Sequence, residues 1–269
     1  MAPTESEDVT TLKQELRELA EKNRWYIENR WGVEEQQADA RMVADQLLAL
    51  ASGEILEPVT ADEQPGSDLS DIDFQGTFTP PDWLVKGDVF PIVGRKFTRA
   101  EFIEYVKWVK QNESYLWDPT GITMHHTGFP DLSIRPNGFT EQHMLNMRHG
   151  YINDNRWHRG PHIYTDDHGI WVFNPLSRRG VHAVSYNSTR YGIEMLGNFD
   201  TEADYANPRG VSSRAHGMFA AAVLMKHAGI STAKLNFHRH DPETRKKCPG
   251  RQVNFSEFEQ EVLEIVERV

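Results

Sequence analysis

The residues of this chain best suited to chemistry are two histidine groups and one cysteine: His125-His126, His238-Arg239-His240 and Cys248. All twelve histidines lie between His125 and His240. Both groups end predicted strands, where loops over a sheet carry functional side chains. Cys248 is the single cysteine, so an intrachain disulfide is excluded. It stands in Lys246-Lys-Cys-Pro-Gly250, where two cations favour the thiolate over the thiol. Two imidazoles and a thiolate suit zinc, with a fourth position left for water. The same residues also suit satisfied structural histidines beside an inert buried cysteine, or a Cys–His nucleophilic pair. No two of the three groups stand at i, i+4 helical spacing, so the tertiary fold has to gather them.

Two further residues bear on this chemistry. Glu194 interrupts the apolar run Tyr191-Gly-Ile-Glu-Met-Leu196. A carboxylate in mid-strand either faces solvent from an edge strand or is buried with a raised pKa, and the second case suits a general base. Lys246 reads either as a surface charge or as a cation for a developing oxyanion.

The elements that must position these groups can be read from periodicity. Leu12, Leu16 and Leu19, then Met42, Val43, Leu47 and Leu48, predict a helix pair within residues 5–52. Proline, glycine and acids dominate residues 57–81 and predict a linker or extended wrap. Thr98-Arg-Ala-Glu101 is a capping box, opening a helix with Phe102, Ile103, Val106 and Val109 inward. Strands are predicted at 121–125, 162–164, 170–173, 181–184, 191–196 and 235–238, the second and third forming a hairpin around Asp-Asp-His-Gly. Helices are predicted at 140–152, 211–229 and from Phe255 onward. The resulting organisation is an acidic helical region at 1–56, a linker or wrap at 57–97, and an α/β domain at 98–269.

Composition excludes several classes. The net charge of −11 is concentrated at the front, where residues 1–80 carry 18 acidic against 6 basic side chains and the remainder 22 against 23. Neither part has the basic excess that nucleic acid favours. No window reaches the roughly 18–20 apolar residues of a membrane helix, and the acidic start lacks a signal-peptide pattern. A cytoplasmic product at synthesis is the expectation. The N-terminal helices are candidates for self-association or a protein partner.

Four motifs in order, across about residues 118–255, resemble the type-2 N-acetylmuramoyl-L-alanine amidases and peptidoglycan recognition proteins. They are Ile122-Thr-Met-His-His-Thr-Gly128; Gly180-Val-His-Ala183 with Asn187; Tyr191-Gly-Ile-Glu-Met-Leu-Gly-Asn198; and Phe237-His-Arg-His-Asp-Pro-Glu-Thr-Arg-Lys-Lys-Cys-Pro249. The resemblance implies an α/β fold with a central mixed sheet flanked by helices. It implies zinc on His125, His238 and Cys248, with Glu194 and Lys246 catalytic. His182, His240 and Asn187 are the implied substrate-binding residues. The implied reaction is hydrolysis of the amide between N-acetylmuramic acid and L-alanine, with the glycan and stem peptide of peptidoglycan as partner. Release by a holin, carriage in a virion or dedicated export would bring such an enzyme to the wall, as for a phage endolysin. One position departs from the pattern: a tyrosine usually precedes the residue matching His162, and here it is Pro161. Glu194, Tyr164 or another residue then takes that role, or the protein binds peptidoglycan with weak or no turnover. A regulatory role for the N-terminal helices is the remaining alternative.

Overall fold

The computed structural model describes Ile72, Phe74 and residues 76–269. The helix pair expected within 5–52 and most of the expected wrap lie outside the described residues. The elements run β1 (Arg95–Phe97), α1 (Arg99–Asn112), β2 (Gly121–His126), α2 (Glu141–Asn153), β3 (Ile163–Asp166), β4 (Gly169–Val172), β5 (Arg190–Met195), α3 (Glu202–Tyr205), α4 (Pro208–Ala228), β6 (Leu235–Phe237) and α5 (Phe255–Val266).

The strands form one mixed six-stranded sheet in the order β1-β4-β3-β5-β2-β6. β1, β4 and β3 pair antiparallel, whereas β3, β5, β2 and β6 run parallel. The predicted capping box at Thr98 is present: Glu101 N–H donates to Thr98 Oγ1 at 3.3 Å, and Thr98 N–H donates to Glu101 Oε2 at 2.8 Å. α4 begins earlier than its apolar pattern suggests, because Asn207 caps it and Pro208 occupies the first turn. It ends at Gly229, whose φ of 82° closes the helix in a left-handed turn.

One expectation needs correction, and one strand was not expected. Residues 181–184 are not a strand. Asn187 Oδ1 accepts from the His182 and Ala183 N–H groups at 2.6 and 2.9 Å, folding the segment into a turn that leaves Val184 exposed. Three residues at Arg95–Phe97, too short for a periodic signal, supply the edge strand β1.

Because side chains alternate across a sheet, the register sorts the residues between two faces. Met124, Ile193, Ile163 and Val172 lie in one transverse row. They belong to the larger core, shared with Phe102 and Val106 of α1, Phe219 and Val223 of α4, and Phe258 and Val262 of α5. The adjoining row, on the opposite face, runs Trp171, Tyr164, Glu194, His125. A smaller core of Phe90, Phe173 and Met144 of α2 covers the Trp171–Tyr164 end of that face. The Glu194–His125 end opens into a cavity of about 570 Å³.

Candidate active site

β2 is buried along nearly its whole length, and alternation splits its two terminal histidines. His125 points to the cavity face beside Glu194. The His126 ring packs by Phe199, and its Nδ1 accepts the Phe199 N–H at 3.0 Å. His238 follows β6 immediately, so its ring meets that of His125 with centroids 4.6 Å apart. The loop after His240 returns Cys248 to the same point. One ligand atom each from His125, His238 and Cys248 lies within 4.8 Å of the others, and all three residues are buried.

This set passes a dimensional test for zinc. Usual Zn–N and Zn–S lengths with a tetrahedral angle place nitrogen and sulfur about 3.6 Å apart. His125 Nδ1 and Cys248 Sγ stand 3.7 Å apart. The protonation states also suit metal binding. Burial holds both imidazoles below the ordinary histidine value, and the positive charge of Lys246 adds to this, so each is neutral with a lone pair to offer. The thiol differs from the sequence expectation. Burial, followed by the Glu194 charge, pushes the Cys248 pKa up, and these effects outweigh the His126 N–H, Lys246 and Arg239. The flanking cations therefore do not make a thiolate by themselves; a bound metal cation displaces that proton.

β5 lies between β3 and β2, so Glu194 is in the interior of the sheet and the edge-strand reading falls. Its Oε1 is 3.6 Å from His125 Nδ1. Burial pushes its pKa up to about 8, against the lowering influence of Lys246. Lys246 is exposed on the cavity wall. The cavity thus gathers His125, His182, Glu194, His238, Lys246 and Cys248.

The sequence model of N-acetylmuramoyl-L-alanine amidases matches residues 116–251, half of the chain and the whole of this site. The chain belongs to that amidase family. An endolysin amidase, LysCS of Clostridium intestinale URNW, is 26% identical, covering 56% of this chain and 87% of its own at a TM-score of 0.44. The catalytic domain of XlyA is 23% identical over 56% and 90% of the two chains, at 0.42. Drosophila PGRP-LB is 23% identical over 54% and 82%, also at 0.42. No curated protein sequence matches.

The remaining residues around the site separate clearly. His240 and Asn187 are not among the residues lining the cavity. The His240 ring stacks on Phe237 and meets Phe255 edge-on, while Asn187 is spent on the turn at 182–183. Trp171 is buried and donates its indole N–H to Asp166 at 3.1 Å. Trp157 is 44% exposed, lines the cavity and stacks on Tyr151, as a platform for a ligand would. Pro161 lies on the cavity wall, and so does Tyr164, opposite Glu194 in register. Tyr151 of α2 was not foreseen. Its hydroxyl is 2.9 Å from that of Tyr164, and it too lines the cavity.

Proposed function

We propose that this amidase-family chain holds zinc through His125, His238 and Cys248 and cleaves the amide joining the lactyl group of N-acetylmuramic acid to L-alanine in peptidoglycan. The observation that carries the reading is a buried two-histidine, one-thiol set with the raised-pKa carboxyl of Glu194 beside it in one open cavity. When bound, zinc supplies Lewis acidity toward the scissile carbonyl and acidifies water.

The chain's own groups account for the proton movements. Glu194 takes the proton from the attacking water as the C–O bond forms, and passes it to the leaving amine as the C–N bond breaks. Its elevated pKa matches both halves of that task. The Lys246 ammonium faces the developing oxyanion from the wall. Tyr164 and Tyr151 supply hydroxyl donors where this chain has Pro161 in place of the family's tyrosine. Trp157 offers an apolar stacking face to the glycan or stem peptide.

The catalytic domain is assigned to 98–269 together with the preceding segment that supplies Phe90 and the edge strand β1, with the acidic region 1–56 in a tethering or self-associating role. Delivery to the wall would follow holin-type release, virion carriage or dedicated export. Pro161 on the cavity wall supports a second reading, peptidoglycan binding without turnover. Metal content per chain, measured together with release of L-alanine amino termini from purified peptidoglycan, separates the two. About one zinc with chelator-sensitive release supports the hydrolase; zinc without release supports the binder.

A further inference from the structure

We infer that His182 is a positioning residue for the metal centre: it locks His125 in the tautomer that presents Nδ1, rather than Nε2, to the metal. This rests on reading His125, His238 and Cys248 as the metal ligands.

The assignment follows from one chain of hydrogen bonds. His182 Nε2 lies 2.9 Å from the Arg190 carbonyl oxygen. A carbonyl only accepts, so Nε2 carries the proton. In the neutral ring Nδ1 is then a lone pair, and it lies 3.0 Å from His125 Nε2. The proton in that contact therefore belongs to His125 Nε2. The other nitrogen, His125 Nδ1, is left as a lone pair directed between Cys248 Sγ at 3.7 Å and Glu194 Oε1 at 3.6 Å. Ligating histidines usually fix their second nitrogen on a carboxylate, carbonyl or water. Here a second histidine serves, and it is anchored in turn on a backbone carbonyl of β5.

The local sequence is built for this approach. The His182 ring lies over Gly192, where a Cβ would stand 2.5 Å from His182 Cγ. Any side chain at 192 would therefore displace the ring from the position that meets His125. The turn holding His182 is closed by Asn187 Oδ1, which accepts the His182 N–H. This gives Asn187 a part in the same arrangement, through the backbone of His182.

The test uses the full chain loaded with zinc, with affinity read by competition against a chromophoric chelator and no substrate present. His182→Ala should loosen zinc by about 10–100-fold. His182→Asn, whose side-chain oxygen can accept the same proton, should recover most of the loss. Gly192→Ala should loosen zinc like His182→Ala. Ring 15N–1H correlation spectra of the zinc-loaded wild type, which depend on no variant folding, should show protons on Nε2 of both His125 and His182. Wild-type zinc affinity in His182→Ala, or a proton on His125 Nδ1, overturns the relay. A wild-type chain that binds no zinc overturns the metal centre and the relay together. Tight zinc binding with the predicted losses, but no amide cleavage, sustains the relay while the hydrolase reading fails.

Discussion

His125 and Glu194 face each other across the parallel pair β2–β5, with Nδ1 of one 3.6 Å from Oε1 of the other. A candidate metal ligand and a candidate proton carrier thus share a single strand register. Glu194→Gln keeps the shape of the side chain and removes only its basicity. It should retain zinc and lose about 10²–10⁴-fold in turnover. Zinc content and amine release measured on one preparation decide the matter, and unimpaired turnover would remove Glu194 from the mechanism.

The same buried carboxyl sets a pH dependence in the metal-free chain. Its folded pKa of about 8 exceeds the ordinary value of 4.5, so the folded state holds the proton more tightly than the unfolded state between those limits. Stability from this group is complete below pH 4.5 and is lost as pH rises toward 8, at up to about 1.4 kcal/mol per pH unit. Glu194→Gln should therefore raise the Tm of the metal-free chain at pH 8 more than at pH 5. Equal shifts at both pH values would contradict the burial argument.

Cys248 supplies the sharpest test of the donor set. A serine at this position offers a neutral, harder oxygen whose proton is far more difficult to displace. Cys248→Ser should weaken zinc by more than the ~10–100-fold that loss of a supporting hydrogen bond costs. In the metal-free wild type, the buried thiol with its raised pKa should react slowly with iodoacetamide at pH 7. Rapid alkylation there would show a thiolate that burial does not permit.

The sequence made the flanking elements legible because they depend on local pattern: the capping box at Thr98 and the apolar run of α4. The choice of His125, His238 and Cys248 rests on the family resemblance, since local pattern alone leaves structural histidines or a Cys–His pair open. The sequence misjudged what depends on tertiary surroundings. The Lys246 charge is visible in sequence, but the burial that outweighs it at Cys248 is not. Val181–Val184 has strand-like composition, yet the Asn187 side chain captures the N–H groups a strand partner would need. Tyr151 reaches the site from a helix, across a distance that no linear spacing encodes.

Tyr151 and Tyr164 form a pair with hydroxyls 2.9 Å apart. Burial chiefly, then nearby charge including Glu194, keeps both pKa values above the ordinary tyrosine value, so both remain donors. One proton is used between them, leaving one to point into the cavity. Tyr151→Phe and Tyr164→Phe should each lower kcat by about 10–100-fold with little change in KM, somewhat below the loss of a full oxyanion donor. The double variant should be little worse than either single one, since the pair acts as a unit. Fully additive losses would show two independent roles instead.

His162 is one of the histidines, with His125, His126 and His182, whose burial makes the fold sensitive to acid. It is wholly buried and stacks on Trp117, with ring centroids 5.0 Å apart and planes within 6°. Gly192 N–H donates to its Nδ1 at 3.1 Å, and its Nε2–H donates to the Arg178 carbonyl at 3.0 Å. Protonation would set a second N–H against that of Gly192 and bury a charge. Burial chiefly, with His182 adding to it, pushes the pKa down to about 3, against the Arg178 carbonyl. Between 6.5 and about 3 the unfolded chain binds a proton that the folded chain refuses, so stability falls as pH falls, by up to about 1.4 kcal/mol per pH unit. His162→Phe keeps an aromatic ring on Trp117 but orphans the Gly192 N–H, costing about 1–3 kcal/mol at pH 7. Its stability should nevertheless decline less steeply from pH 7 to pH 5 than that of the wild type, measured by urea unfolding. Identical slopes in the two proteins would assign the acid sensitivity to other groups.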